Sequence, residues 1–368
     1  MSVLFGSDGS TGVSRGLAEF NSGRPVFIRG RDEILLALPA EGLSAARLKA
    51  FVQMCAPGAP RLVVTAQRAA ALGLFGPTPM ELPIGEASDA GEILALVTHV
   101  TRQPLPHAKS AGLAAAAALE IAKMSQGLPA VLAAVVRDDV ITAHPHVITV
   151  EAGAVKQFAD ETVEALRIAS DATVPLVSGK MAHFVVFRDA LGGSQTAIIV
   201  GSLDHTKPIL VRLHSACLTG DVFGSRRCDC GDQLRLALAR LDDNGGGIIL
   251  YLAQEGRGLG LANKMRAYQL QDQGLDTVDA NTTLGFNDDE RDYRVAARML
   301  EMLDCTRIVL LTNNPAKVEG LGRSGIDIVG RLSLEAPIKA ENRRYLVAKA
   351  ERAGHHLDHL MASLVDPS

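Results

Sequence analysis

The chain has 368 residues, 47% of them hydrophobic and 21% charged, which is enough for two domains of ordinary size. Its formal net charge of −4 gives no general support for nucleic-acid binding, and no apolar run is long enough to span a bilayer. Five cysteines at irregular spacings argue against a disulfide framework and for a reducing compartment.

In chain order, Met1–Asp8 lacks a basic region followed by an apolar core, so no secretory signal and a cytoplasmic location are expected. Strand-like and helix-like segments alternate, which points to an α/β protein with mixed α+β sheets in two domains. Residues 1–160 are rich in alanine and poor in chemistry. Arg24–Arg29 and Glu33–Leu38 read as strands joined by a turn at Gly30–Asp32. Ser44–Met54 reads as a helix with Ser44 as its N-cap, and Arg61–Thr65 as a strand entering a helix over Ala66–Leu72. Ala111–Met124 predicts a helix and Ala130–Val136 a buried strand. His144 and His146 flank Pro145 and could pair on a metal; loop histidines without carboxylate neighbours, like His107 beside Pro106, are more often solvated.

A helix is expected over Phe158–Ala169, after which Ala172–Pro175 opens a β-rich stretch. Ala182–Phe187, Thr196–Val200 and Pro208–Leu213 predict strands, the first two joined through Gly192–Gly193. The third leads into a segment holding three of the five cysteines, spaced Cys217-x10-Cys228-x-Cys230. On an extended backbone Cys228 and Cys230 would point to one face. Cys217 would join them if Leu218–Arg227 folds back, as Gly220 and Gly224 allow. Three thiolates without a fourth protein ligand suit a catalytic zinc with one open position; the alternative is three buried or redox-active thiols. Beyond them, Asp232–Asp243 has a helical apolar period and Ile248–Leu252 reads as a buried strand.

At the end of that strand stands Gln254-Glu-Gly-Arg-Gly-Leu-Gly260, a glycine-rich turn before a helix. It suits a phosphate cradle with Arg257 as bidentate partner, although tight turns need glycine anyway, and no Gly-Lys-Ser/Thr completes a P-loop. Phe286–Tyr293 is polar, ahead of a helix over Val295–Leu303. Ile308–Thr312 is a buried strand running into Asn313-Asn-Pro-Ala-Lys317, a strand end suited to ligand recognition.

Together His214-Ser215, Cys217-Leu-Thr-Gly-Asp221, Cys228-Asp-Cys-Gly231, Glu255-Gly-Arg257, Asn263-Lys-x-Arg-Ala-Tyr268, Asp289-Glu-Arg-Asp292, Leu311-Thr-Asn-Asn-Pro315, Lys317 and Glu341–Leu346 closely resemble GTP cyclohydrolase II. The resemblance covers about residues 170–358, within a domain taken as residues 166–368. It implies a zinc-dependent hydrolase of GTP that opens riboflavin synthesis, with one Zn²⁺ per chain on Cys217, Cys228 and Cys230. It also implies Mg²⁺ with the triphosphate and a homodimer, with no nucleic-acid or membrane partner. GTP contacts fall on Arg212, Leu213, His214, Ser215, Ala216, Gln233, Glu255, Gly256, Arg257, Thr277, Thr312 and Lys317. Asp289 becomes a general base, Arg291 the nucleophile toward the α-phosphate, and Tyr268 a neighbour of the reaction. One departure stands out: the family's usual glutamate before the first zinc cysteine is here Ala216. Three readings remain: an active cyclohydrolase, a GTP-binding regulator of flavin synthesis, and a zinc-containing nucleic-acid module, which three cysteine ligands and the lack of a basic tract disfavour.

Residues 1–165 resemble 3,4-dihydroxy-2-butanone-4-phosphate synthase in Gly23–Ile28, Leu48–Cys55 and Arg61–Leu74. That family's acidic magnesium loop is reduced here to Arg31-Asp32-Glu33, and its Gly-His-Thr-Glu segment to Gly112-Leu-Ala-Ala115. The resemblance implies a non-catalytic relative retained for packing, assembly or regulation.

Overall fold

The computed structural model describes residues 7–85, 88–100, 108–337 and 339. His107 and the motif from Glu341 onward lie outside the described residues. The chain forms two compact units, but not by a single cut near residue 165. One unit holds the described residues through Glu161 together with Ala262–Leu275 and Asp279–Glu290. The other holds Thr162–Leu261, Asp276–Val278 and the described residues from Arg291 onward.

The first unit is a seven-stranded sheet covered by helices. Its strands are β1 (Val26–Arg29), β2 (Ile34–Pro39), β3 (Arg61–Val64), β4 (Met80–Pro83), β5 (Lys109–Ser110), β6 (Ala130–Val135) and β7 (Thr149–Glu151). They lie in the order β5-β4-β3-β6-β2-β1-β7. All neighbours are antiparallel except β1 and β7. Helices α1 (Asp8–Asn21), α5 (Leu113–Met124) and α7 (Ala152–Glu164) share one core with the sheet. The alanines that made the sequence look featureless let α5 pack closely: Ala114, Ala115, Ala118 and Ala122 are all buried. The helices α2 (Ala45–Cys55), α3 (Ala66–Ala71), α4 (Ala90–Thr98) and α6 (Asp138–Ala143) complete it. Ser44 caps α2 as expected, accepting from the Arg47 N–H, and Thr65 caps α3 in the same way.

The helix expected over Phe158–Ala169 instead runs from Ala152 to Glu164, and β8 (Arg167–Pro175) begins where it should have continued. Ala152, Val155 and Phe158 are its buried face. The residues after it join a β ladder with β9 (Met181–Arg188), with an irregularity between Ile168 and Ser170, and tertiary pairing overrides the local helical reading.

The second unit is a mixed sheet in the order β14-β13-β11-β12-β10-β9-β8, adding β10 (Ser194–Gly201), β11 (Ile209–Ser215), β12 (Gly246–Leu252), β13 (Arg307–Leu311) and β14 (Asp327–Leu332). β14, β13, β11 and β12 run parallel, whereas β12, β10, β9 and β8 are antiparallel. Alternation along β12 feeds both faces. Ile248, Leu250 and Leu252 join a core with α11 (Arg294–Met302) and Leu321 of α12 (Pro315–Arg323). Ile249 joins Ala237 and Leu241 of α8 (Cys230–Asp243) on the opposite face. Helices on both faces leave the carboxyl ends of β11, β12 and β13 as the place for a ligand.

That packing leaves no room on the inner strand. A Cβ on Gly247 would lie 2.5 Å from both the Leu210 carbonyl oxygen and Leu241 Cδ2. Gly247→Ala is therefore expected to destabilise the protein by about 1–3 kcal/mol, the usual cost of overpacking. Chemical denaturation would show a lowered midpoint; an unchanged midpoint would contradict the packing described.

Candidate active site

The three cysteines converge where β11 gives way to α8. After Ser215 the chain passes Ala216, whose N–H donates to the Leu252 carbonyl at 2.8 Å. It then makes a single π-helical turn over Leu218–Val222. The sulfurs of Cys217, Cys228 and Cys230 all lie within 4.8 Å of one another, and Cys217 and Cys228 are 3.7 Å apart. Among the described residues this is the one cluster of three or more His, Cys, Asp or Glu ligand atoms able to hold a metal. His144 and His146 are outside that cluster: their rings meet edge to face at 5.9 Å, and His144 Nδ1 lies 2.9 Å from the Val140 carbonyl.

The route to convergence differs from the one expected. Asp229 has φ −100° and ψ 4°, so Cys228 and Cys230 do not alternate along an extended backbone; Cys230 is the first residue of α8. The glycines divide the work. Gly224 takes a left-handed φ of +63° to turn the loop. Gly220 is required for space: a Cβ there would lie 2.8 Å from Cys228 Sγ and 3.1 Å from Cys217 Sγ.

Asp221 pins this loop. One carboxylate oxygen accepts from the Cys217 N–H (3.0 Å) and from the Tyr251 hydroxyl (2.9 Å), and His214 Nε2 lies 3.0–3.1 Å from both oxygens. His214 also stacks on Tyr251 at 5.5 Å. Burial pulls the His214 pKa down against the pull of Asp221, so the ring is a neutral donor through Nε2. Burial, with Asp221 alongside, raises the Tyr251 pKa and keeps its phenol a donor. From sequence Asp221 stands only within the Cys217–Asp221 motif, with no role given to it, and Tyr251 is not singled out. The available signal was a tyrosine on an otherwise aliphatic strand, placed beside His214 in the parallel register.

A second buried chain of bonds supports the other side of the loop. Arg212, 5% exposed, donates to the Leu311 carbonyl (2.9 Å) and to Gln233 Oε1 (2.6 Å). Gln233 Nε2 then donates to Asp229 at 2.5 Å. Burial pushes the Arg212 guanidinium down to about 10, which leaves it charged at neutral pH. Lys317 is buried in the first turn of α12 and donates to the Leu213 carbonyl at 2.7 Å. Thr312 is buried beside it in sequence, its hydroxyl accepting from the Asn314 N–H at 3.0 Å. Among the described residues five buried side-chain atoms have no hydrogen-bond partner, and three of them belong to these strand ends: Arg212 Nε, Ser215 Oγ and Gln254 Oε1.

In the glycine-rich turn, three of the amides expected to face an anion already have local acceptors. Gly256, Gly258 and Gly260 all have positive φ, and so does Arg257 at +63°. The N–H groups of Gly258 and Gly260 donate to the carbonyls of Gln254 and Glu255, and that of Gly256 to the Glu255 carboxylate. Glu255 also accepts from the Leu218 N–H at 2.7 Å, so it braces the cysteine loop. Thr277 opens a short helix, α10 (Thr277–Thr283), and Arg291 lies 5.6 Å over the Tyr293 ring. Tyr268 and Asp289 belong to the segments that pack in the first unit, where Lys264 sits 5.7 Å over the Tyr268 ring on α9 (Leu261–Asp272). In that unit Glu33 does approach Gly112, whose added Cβ would lie 3.0 Å from Glu33 Oε1. What faces it there is glycine and alanine: a Cβ on the neighbouring Gly30 would lie 3.4 Å from Ala114 Cβ.

The donor set fits zinc. Contact with Cys217 and Cys228, together with burial, raises the Cys230 thiol well above its ordinary value, and contact with Cys217 raises Cys228. Three crowded thiols of this kind are stable as thiolates only when a cation neutralises them. Purified protein is expected to carry about one zinc per chain. Cys228→Ser should lose it and Gly220→Ala should lower it, measured by atomic absorption. Full zinc in a triple Cys217, Cys228 and Cys230 variant would remove the assignment.

Comparison with known proteins agrees with this arrangement. Residues 167–333 match the family model for GTP cyclohydrolase II. A GTP cyclohydrolase-2 of Azospirillum brasilense is 39% identical over 359 residues, covering 93% of each chain. Another, from Xylella fastidiosa, is 39% identical and covers 96% of this chain and 89% of its own. A two-domain 3,4-dihydroxy-2-butanone 4-phosphate synthase from A. baumannii covers 88% of this chain and 99% of its own. At 14% identity and a TM-score of 0.35 it carries no argument here. With relatives matched along nearly their whole length and a three-thiol cluster at the strand ends, this chain belongs to the GTP cyclohydrolase II family.

Proposed function

We propose that the chain hydrolyses GTP to 2,5-diamino-6-(5-phosphoribosylamino)pyrimidin-4(3H)-one, formate and pyrophosphate, the first step of riboflavin biosynthesis. The observation that carries this reading is the Cys217–Cys228–Cys230 cluster at the carboxyl ends of parallel strands. These three residues would hold zinc, which supplies Lewis acidity for breaking a ring C–N bond at neutral pH. Mg²⁺ would accompany the triphosphate as its counter-ion.

The remaining chemistry belongs to side chains. Ser215 Oγ and Arg212 Nε offer buried donors and Gln254 Oε1 a buried acceptor, a mixture suited to the edge of a guanine ring. Neutral His214, held by Asp221, keeps the strand end from adding a positive charge beside Arg212 and Lys317. For the phosphoryl half we assign Arg291 as nucleophile toward the α-phosphorus, Asp289 as its base and Tyr268 as a neighbour of the reaction. A protonated guanidinium is a poor nucleophile, and only a nearby base makes arginine usable in this role. Its N–P bond would then be cleaved by water.

Ala216 favours a second reading, a GTP-binding regulator without turnover. Its methyl stands next to the ligand Cys217 where a carboxylate could orient water or guanine.

The two halves of the reaction use different residues, which makes them separable. Cys228→Ser is expected to stop formate release while GTP still yields pyrophosphate and GMP. Arg291→Ala, once shown to fold and bind GTP, is expected to lose pyrophosphate release. Chromatography of GMP, pyrophosphate and formate reads both. Undiminished pyrophosphate from Arg291→Ala would remove Arg291 as the nucleophile, and undiminished formate from zinc-free Cys228→Ser would remove the metal from ring opening.

A further inference from the structure

The first unit contains the segment Thr283–Glu290, and its grip on that segment is dense. Arg68 is 1% exposed, yet among the described residues its guanidinium meets no carboxylate, only carbonyls. Its guanidinium donates to three carbonyls: Thr283 (2.6 Å), Leu96 (2.8 Å) and His99 (2.6 Å). Thr283 ends α10, Leu96 lies in the last turn of α4, and His99 is the C-cap of α4. Carbonyls at helix C-termini lack intrahelical donors and carry the negative end of the dipole, so a buried cation is favoured there.

Three further contacts continue along the same segment. The Thr65 hydroxyl donates to the Gly285 carbonyl at 2.7 Å. Gly285 has φ +92°, and a Cβ there would lie 2.9 Å from Thr65 Oγ1 and 3.3 Å from Arg68 Cβ. Gln67 Nε2 donates to Asn287 Oδ1 at 2.5 Å. Asn287 in turn donates from its backbone and side chain to Glu290, whose carboxylate lies 3.2 Å from Lys123 Nζ. The segment is thus held at residues 283, 285, 287 and 290, on both sides of Asp289. Volume alone does not explain Arg68: a methionine would fill the site without burying a charge, which is costly unless its bonds are required.

We propose that Arg68, Thr65, Gln67 and Lys123 form a positioning device that seats Thr283–Glu290 and so fixes Asp289 for the phosphoryl step. The proposal rests on the role given to Asp289 above. The four anchoring residues all lie before Glu161, in a stretch to which no reacting group is assigned above.

The test uses the full chain. Gln67→Ala combined with Lys123→Met removes the outer anchors and leaves the buried arginine in place. Arg68→Lys keeps a charge and loses the fork. Both variants should exchange amide hydrogens faster in a peptide spanning Thr283–Glu290, with the peptides of β11 and α8 unchanged and zinc retained. Pyrophosphate release should fall about tenfold or more at an unchanged KM for GTP, since small misplacements cost rate rather than binding. Parent-like exchange in that peptide would overturn the seating. Faster exchange with full pyrophosphate release, where Asp289→Asn abolishes release, would overturn its link to catalysis. Full release by Asp289→Asn would overturn the reading of Asp289 instead, leaving exchange to decide the seating.

Discussion

Three sulfurs within 4.8 Å of one another set the terms for the second unit. Thiols this close raise one another's pKa and resist ionising together, so the cluster is stable as thiolates only around a cation. The surrounding residues answer that constraint. Gly220 leaves the space, Gly224 turns the loop, and Asp221 collects donors from the loop backbone, from β12 and from His214. Asp229, between two of the cysteines, is tied through Gln233 to the buried charge of Arg212.

The sheet explains why these groups meet. Parallel pairing of β11 with β12 and β13 brings Ser215, Leu252 and Leu311 to the same end, so the residues following each strand share one surface. Arg212, Lys317 and Glu255 bind main-chain groups from neighbouring strand ends and loops. Their first task is structural. A side chain already tied to the backbone in this way has less freedom left to lose when it meets a ligand.

Much of this was legible in the sequence. The cysteine spacing, the Ser44 cap and the strand runs from Ala182 to Leu213 all carry local signals that the fold keeps. What was not legible depends on pairing or on space. The helix after Val150 starts six residues and stops five residues before the expected positions, because the ladder with β9 fixes where it must stop. Cys230 as a helix start, rather than part of an extended pair, follows from the backbone at Asp229, which no spacing rule reports. The amides of Gly256, Gly258 and Gly260 looked available from composition, but donate within the turn. The packing of Ala262–Leu275 and Asp279–Glu290 in the first unit comes from contacts far apart in sequence, such as Asn263 with the Gln126 carbonyl and Arg266 with Glu41.

The most direct measurement follows the carbon that a cyclohydrolase must expel. Full-length protein loaded with zinc would be given GTP labelled at C8, with Mg²⁺ present, and the label traced. The account predicts that C8 appears as formate, one for each GTP consumed, despite Ala216. GTP bound by the zinc-loaded protein and recovered intact, with no labelled formate, would contradict it and leave the chain a nucleotide-binding relative that has lost the reaction.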